Sequence, residues 1–150
     1  VRYKAAKALK EAFGSDLDVA AKRKVAEALE KALFDKALDV RAQAADTLME
    51  AFGSDLDVAA KRKVAEALEK ALFDKAWNVR DDVADALKEA FGSDLDVAAK
   101  RKVAEALEKA LFDKHWYVRY KAAKALKEAF GSDLDVAAKR KVAEALEKAL

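Results

Sequence analysis

The sequence predicts an all-α fold, a right-handed α-solenoid of stacked two-helix units. Three observations carry that expectation. The 150 residues contain no proline and only four glycines. Those glycines, Gly14, Gly53, Gly92 and Gly131, stand 39 residues apart, the signature of a repeat array. Hydrophobic residues make up 53% and charged residues 39%, dominated by Ala, Leu, Glu, Lys and Arg, which fits a helical protein that stays in solution.

Each unit reads as a pair of helices. The block from Gly14 to Leu33 recurs letter for letter from Gly53, Gly92 and Gly131. Its first helix is expected from about Asp16 to Phe34. Ser15 or Asp16 caps it, and the preceding Gly takes a left-handed conformation that ends the helix before. Leu17, Ala21, Val25, Ala28, Leu29, Ala32 and Leu33 follow helical spacing on one face. Asp18, Lys22, Arg23, Glu27, Glu30 and Lys31 fill the other, with Glu27 and Lys31 as an i,i+4 pair. The second helix is expected from about Leu38 to Phe52, with Val40, Ala44, Ala45, Leu48, Ala51 and Phe52 as its apolar stripe. No strand pattern appears. One repeat domain follows: a half repeat 1–13, full repeats 14–52, 53–91 and 92–130, and a terminal half repeat 131–150. Neither helix pair buries its apolar face alone, so the copies must stack.

The second helix carries a recognisable core. Val40-Arg41-Ala42-Gln43-Ala44-Ala45-Asp46-Thr47-Leu48 resembles the V-R-x-x-A-A-x-x-L helix of HEAT-like repeats, and Val1-Arg2, Val79-Arg80 and Val118-Arg119 open the same motif. The frame resembles engineered HEAT-like scaffolds of the alphaRep type, but with a longer unit and no proline in the first helix. The resemblance implies that the V–R helices line a concave face and that the other helices lie outside. It also implies that Arg41, Arg80 and Arg119 bond neighbouring acids, set here as Asp35, Asp74 and Asp113.

The copies differ only around the V–R helix. Exposed residues of the first helix never change, whereas natural drift would scatter substitutions over every exposed site. The chain therefore reads as artificial, with a face that was chosen. In register, the varied face offers four rows. The first holds Tyr3, Lys4 and Lys7. The second holds Leu38, Asp39, Gln43 and Asp46. The third holds Trp77, Asn78, Asp81, Asp82 and Asp85. The fourth holds His115, Trp116, Tyr117, Tyr120, Lys121 and Lys124. Positions 117, 120, 121 and 124 share one helix face by their spacing. The centre is acidic, the flanks are basic, and the aromatics gather toward the C-terminal half. Trp, Tyr and charged side chains anchor binding sites, so these residues are the candidate partner-binding set.

Plainer roles stand beside that one. Trp77 and Trp116 sit where a hydrophobic residue can staple a helix entry. Asp82 is placed to pair with Lys121, Asp85 with Lys124, and Asp46 with Lys7, each pair contributing only ~0–1 kcal/mol. Asp81 and Asp85 lack the further ligands that a cation site needs and read as a solvated acidic face. His115 is the only histidine and there is no cysteine, so neither a zinc site nor a serine triad of usual form can be built. Ser15, Ser54, Ser93 and Ser132 recur identically and read as structural. No phosphate loop is present.

These features set the functional expectations. The net charge of +2 argues against a nucleic-acid or membrane-surface binder. No cofactor, metal or catalytic residue is expected. The leading expectation is a non-catalytic binder of a protein or peptide, leaning toward a basic patch. The alternative is a designed array that associates head to tail, because residues 118–150 repeat residues 1–33 without change. The chain opens on Val1, which implies a trimmed initiator or tag, and a soluble protein expressed recombinantly in the cytoplasm is expected.

Overall fold

The computed structural model describes all of residues 1–150. Eight α-helices alternate along the chain: α1 Arg2–Ala8, α2 Val19–Ala32, α3 Leu38–Leu48, α4 Val58–Ala71, α5 Trp77–Lys88, α6 Val97–Ala110, α7 Trp116–Lys127 and α8 Val136–Ala149. The odd-numbered helices carry the V–R motif. Each runs on into a tighter 3₁₀ turn that ends at Gly14, Gly53, Gly92 or Gly131. No helix is long and apolar enough to cross a membrane.

The V–R helices pack against one another more closely than the even-numbered helices do. The stack therefore curves toward the V–R row, which lies on its concave side. Side chains of all the units join one continuous buried core. The alanines explain the close approach. Ala44, Ala45, Ala84, Ala86, Ala122 and Ala125 are buried on the V–R helices, and their small side chains let neighbouring backbones meet. Leu48, Leu87 and Leu126 fill the space beneath, and removing one such side chain costs about 2–5 kcal/mol.

Three local expectations are corrected. The first-type helix spans Val19–Ala32, shorter at both ends than the periodicity suggested. Its cap is Asp18, whose Oδ1 accepts from Ala21 N at 2.7 Å, not Ser15 or Asp16. Ser15 is already engaged: its Oγ donates to Ala12 O at 2.7 Å and accepts from Leu17 N at 3.3 Å. Nor does any glycine adopt a left-handed conformation. The chain leaves each 3₁₀ turn directly into an extended serine, as at Ser15 (φ −85°, ψ −179°), which needs no positive φ.

A further correction concerns Lys22, assigned to the solvated face. It is 4% exposed, and its Nζ reaches Asp55 Oδ1 of the next repeat at 2.7 Å. The same link recurs as Lys61–Asp94 and Lys100–Asp133. Its long apolar stem lies along the inter-repeat seam while the ammonium emerges beside an exposed carboxylate.

The arginine ladder is shifted by one repeat from the implied pairing. Arg41 does not take the Asp35 carboxylate. Its Nε and Nη2 donate to Asp74 of the following repeat at 2.8 and 3.3 Å, and its Nη1 donates to the Asp35 backbone carbonyl at 3.0 Å. Arg80 repeats this with Asp113 at 2.8 and 3.0 Å and Asp74 O at 2.7 Å. Arg119 keeps only the backbone bond, to Asp113 O at 2.8 Å. The aspartates are held in place because each also accepts from a backbone N–H two residues on, as Asp74 does from Ala76 at 2.8 Å. Arg41 and Arg80 thus each clamp the loop of their own unit to the loop of the next.

Candidate binding surface

The candidate partner-binding side chains occupy the solvent side of the V–R helices, opposite the buried Val118, Ala122, Ala125 and Leu126 of α7 and their counterparts. On α1, Tyr3, Lys4 and Lys7 are exposed. On α3, Leu38 and Asp39 are exposed, while Gln43 and Asp46 are half-buried, with Gln43 Nε2 donating to Asp46 Oδ2 at 3.4 Å. On α5, Trp77 is exposed, and Asn78, Asp81, Asp82 and Asp85 are half-buried. On α7 and its cap, Trp116, Tyr120 and Lys124 are exposed, and His115, Tyr117 and Lys121 are half-buried.

The fold gathers the aromatics of the third and fourth rows into one array. Trp77 stacks flat on His115 across the repeat boundary, with centroids 4.1 Å apart and planes 6° from parallel. Tyr117 meets the Trp77 edge at 6.1 Å and lies 5.1 Å from Trp116. Tyr120 stacks on Tyr117 at 5.9 Å. His115 is locked by capping α7: its Nδ1 accepts from Tyr117 N at 3.1 Å. Trp77 is thus tied into the next repeat, and Trp116 remains 64% exposed. Tyr3 and Leu38 lie on other helices, outside this array.

Beside the array lies an acidic floor. Lys121 Nζ bonds Asp85 Oδ2 at 2.6 Å, stands 3.7 Å from Asp81 Oδ1, and lies 5.4 Å from the Tyr117 ring centre. Burial opposes its charge, but the Asp85 hydrogen bond and the two carboxylates outweigh that and raise its pKa. The expected pairings are corrected here. Lys121 takes Asp85 and Asp81 rather than Asp82, Lys124 takes neither, and Asp46 meets Lys10 at 3.5 Å rather than Lys7. Both of these hydrogen-bonded pairs, Asp85–Lys121 and Lys10–Asp46, join positions 36 apart, three short of the repeat length. Asp82 is left without a cation of its own. Burial, then Asp81, Asp46 and Asp85, push its carboxyl up to about 7. No group of three metal-ligating side chains comes together.

Sequence reasoning missed the convex side. Recesses of 540 and 560 Å³ lie between the even-numbered helices, each walled by an exposed phenylalanine, Phe112 or Phe73. Their residues are the same in each repeat, so they carry no information that distinguishes one repeat from another. Thr47 also gained no role from sequence. It is buried, and its Oγ1 donates to Ala6 O at 3.0 Å across the first repeat boundary.

Comparison with known proteins agrees with this architecture. The family model for the HEAT repeat matches residues 103–129. The chain is also similar to the crystal structure of an engineered protein solved as a structural genomics target. Identity there is 22% with a TM-score of 0.68, over 95% of this chain and 61% of that one. The chain spans about three fifths of that relative's length. No curated protein matches it. Within this chain 20 residues recur four times unchanged. The chain has a helical-repeat architecture, and one of its repeats matches the HEAT repeat. Within the HEAT-like repeat, the V–R helices supply the varied face and the even-numbered helices supply the constant frame.

Proposed function

We propose that this HEAT-like protein is a binding scaffold without catalytic activity, which takes a protein or peptide in the concave face of its V–R helices. One observation supports the reading most strongly. Apart from the buried Thr47 and Val83, most substitutions among otherwise identical repeats fall on one surface, and there they build a contiguous aromatic array beside carboxylates. Large, stiff aromatics lose little entropy on binding and supply most of an interface's energy. The half-buried Asp81, Asp82 and Asp85 beside them favour a partner segment that carries Lys or Arg. The design lineage that the V–R frame suggests is the alphaRep type. The inter-repeat clamps made by Arg41 and Arg80 hold the rows at fixed spacing, so the face is preorganised.

A displayed peptide library tests this reading. Clones enriched on the protein should carry basic and apolar residues. They should lose at least about 100-fold in affinity for a variant with alanine at Trp77, Trp116, Tyr117 and Tyr120. Enriched clones that bind that variant equally well would remove the concave face from the account.

A further inference from the structure

The fold does not balance every carboxylate of α5. Lys121 of α7 bonds Asp85 and stands 3.7 Å from Asp81, and Lys10 bonds Asp46 of α3. Asp82, on the solvent side of the same helix, is left out of these pairs. At its register position the other repeats carry Lys4, Gln43 and Lys121, so α5 alone places a carboxylate there. The charged groups that act on Asp82 are Asp81 and Asp85 of its own helix, Asp46 of α3 and Lys121 of α7. The one ammonium among them is already engaged by Asp85. The helix α4 and the 3₁₀ turns, which also pack against α5, contribute none. Close by, Asp81 Oδ1 is buried and accepts no hydrogen bond. A carboxylate in this setting is relieved by a proton or by a cation brought from outside.

Resting on the proposed basic partner at the concave face, we infer that a Lys or Arg of the partner competes with a proton for Asp82, so that binding there is proton-linked. Burial and the three neighbouring acids hold the Asp82 pKa up at about 7. Near neutral pH its carboxyl therefore carries a proton in about half of the free molecules. On binding, the ammonium or guanidinium of the partner donates to the carboxylate, and the displaced proton passes to solvent. Lys121 shows the same arrangement inside the protein, with its ammonium on Asp85 beside the Tyr117 ring. The ionised carboxylate is the form that binds, so affinity rises with pH through 7 and levels off above about 8.

Calorimetry of a Lys- or Arg-bearing peptide enriched on the protein, run at pH 6, 7 and 8 in buffers of different ionisation enthalpy, tests this. Binding should release close to one proton at pH 6 and about half a proton at pH 7, and affinity should be about tenfold weaker at pH 6 than at pH 8. Asp82→Asn should keep the helical circular dichroism, abolish the release and flatten the pH profile. Carboxyl NMR should show Asp82 titrating at about 7 in the free protein and clearly lower in the complex. Binding without proton release would overturn the inference and leave the concave face as the binding surface. So would release that survives Asp82→Asn and therefore belongs to another group, such as His115, or enriched peptides that lack Lys and Arg. Peptides that bind the variant with alanine at Trp77, Trp116, Tyr117 and Tyr120 equally well would instead overturn the concave face itself, and the proton linkage with it.

Discussion

Lys121 Nζ lies 2.6 Å from Asp85 Oδ2 and 5.4 Å from the centre of the Tyr117 ring, so one ammonium joins the acidic floor to the aromatic array. It is the cation closest to Asp81 and Asp85 together. Replacing it with methionine keeps the stem and leaves those carboxylates facing one another. Lys121→Met is expected to cost about 1–3 kcal/mol in urea unfolding, and Asp85→Asn in the same chain should recover part of that loss. A loss equal in both backgrounds would show that the pair is not coupled.

The pH dependence follows from Asp82. Its folded-state pKa of about 7 stands above the ordinary 3.8, so the folded protein holds this proton more tightly than the unfolded chain. The stabilisation from that proton is full below about pH 4 and is lost as pH rises through 7. Asp82→Asn should therefore raise the Tm at pH 8, with the gain shrinking toward zero at pH 4. A gain that does not vary with pH would contradict the assignment.

Arg80, itself buried, makes two bonds to the half-buried Asp113 and one to Asp74 O. A lysine cannot reproduce the planar fork. Arg80→Lys is expected to lose about 2–3 kcal/mol, far more than a surface exchange. Denaturant unfolding measures it, and a change below 0.5 kcal/mol, the usual surface range, would show that the clamp contributes little.

Lys61 separates packing from charge. Its stem is buried, but its partner Asp94 is largely exposed. Lys61→Met should cost less than ~1 kcal/mol, and Lys61→Ala clearly more through lost packing. In either variant the Asp94 carboxyl, held below its ordinary value chiefly by the Lys61 hydrogen bond, should titrate higher by NMR. An unmoved Asp94 titration would exclude the bond in solution.

Gly53 tests the corrected turn. Its φ is not positive, and a Cβ built there meets nothing within 4 Å. Gly53→Ala should be neutral or stabilise by up to about 1 kcal/mol through the unfolded state. A large loss would restore the left-handed conformation that the sequence suggested.

The residues show why some features could be read from sequence and others could not. Helix type and order follow from periodicity, and the varied face follows from register alone. The cap is misplaced by sequence, which offers Ser15 or Asp16 and sets Asp18 on the polar face, because only backbone geometry shows that the helix starts after Asp18. The pairings of Asp82, Asp85 and Asp46 were misplaced because a 39-residue period fixes equivalence, not contact. Helix crossing sets contact, and it brings Lys121 to Asp85 and Lys10 to Asp46. Lys22 was assigned to solvent because its charge hid an apolar stem that the next repeat covers. The aromatic array was foreseen as a gathering, but the Trp77–His115 stack needs the distance between two repeats, which sequence does not contain.

The most direct test of the central claim compares two surfaces with one ligand. A peptide selected on the protein is titrated by calorimetry into two variants. One has alanine at Trp77, Trp116, Tyr117 and Tyr120 on the varied face. The other has alanine at Phe34, Phe73 and Phe112 on the constant face. The account predicts that affinity collapses in the first and stays within a few-fold of the parent in the second. The reverse pattern would contradict it.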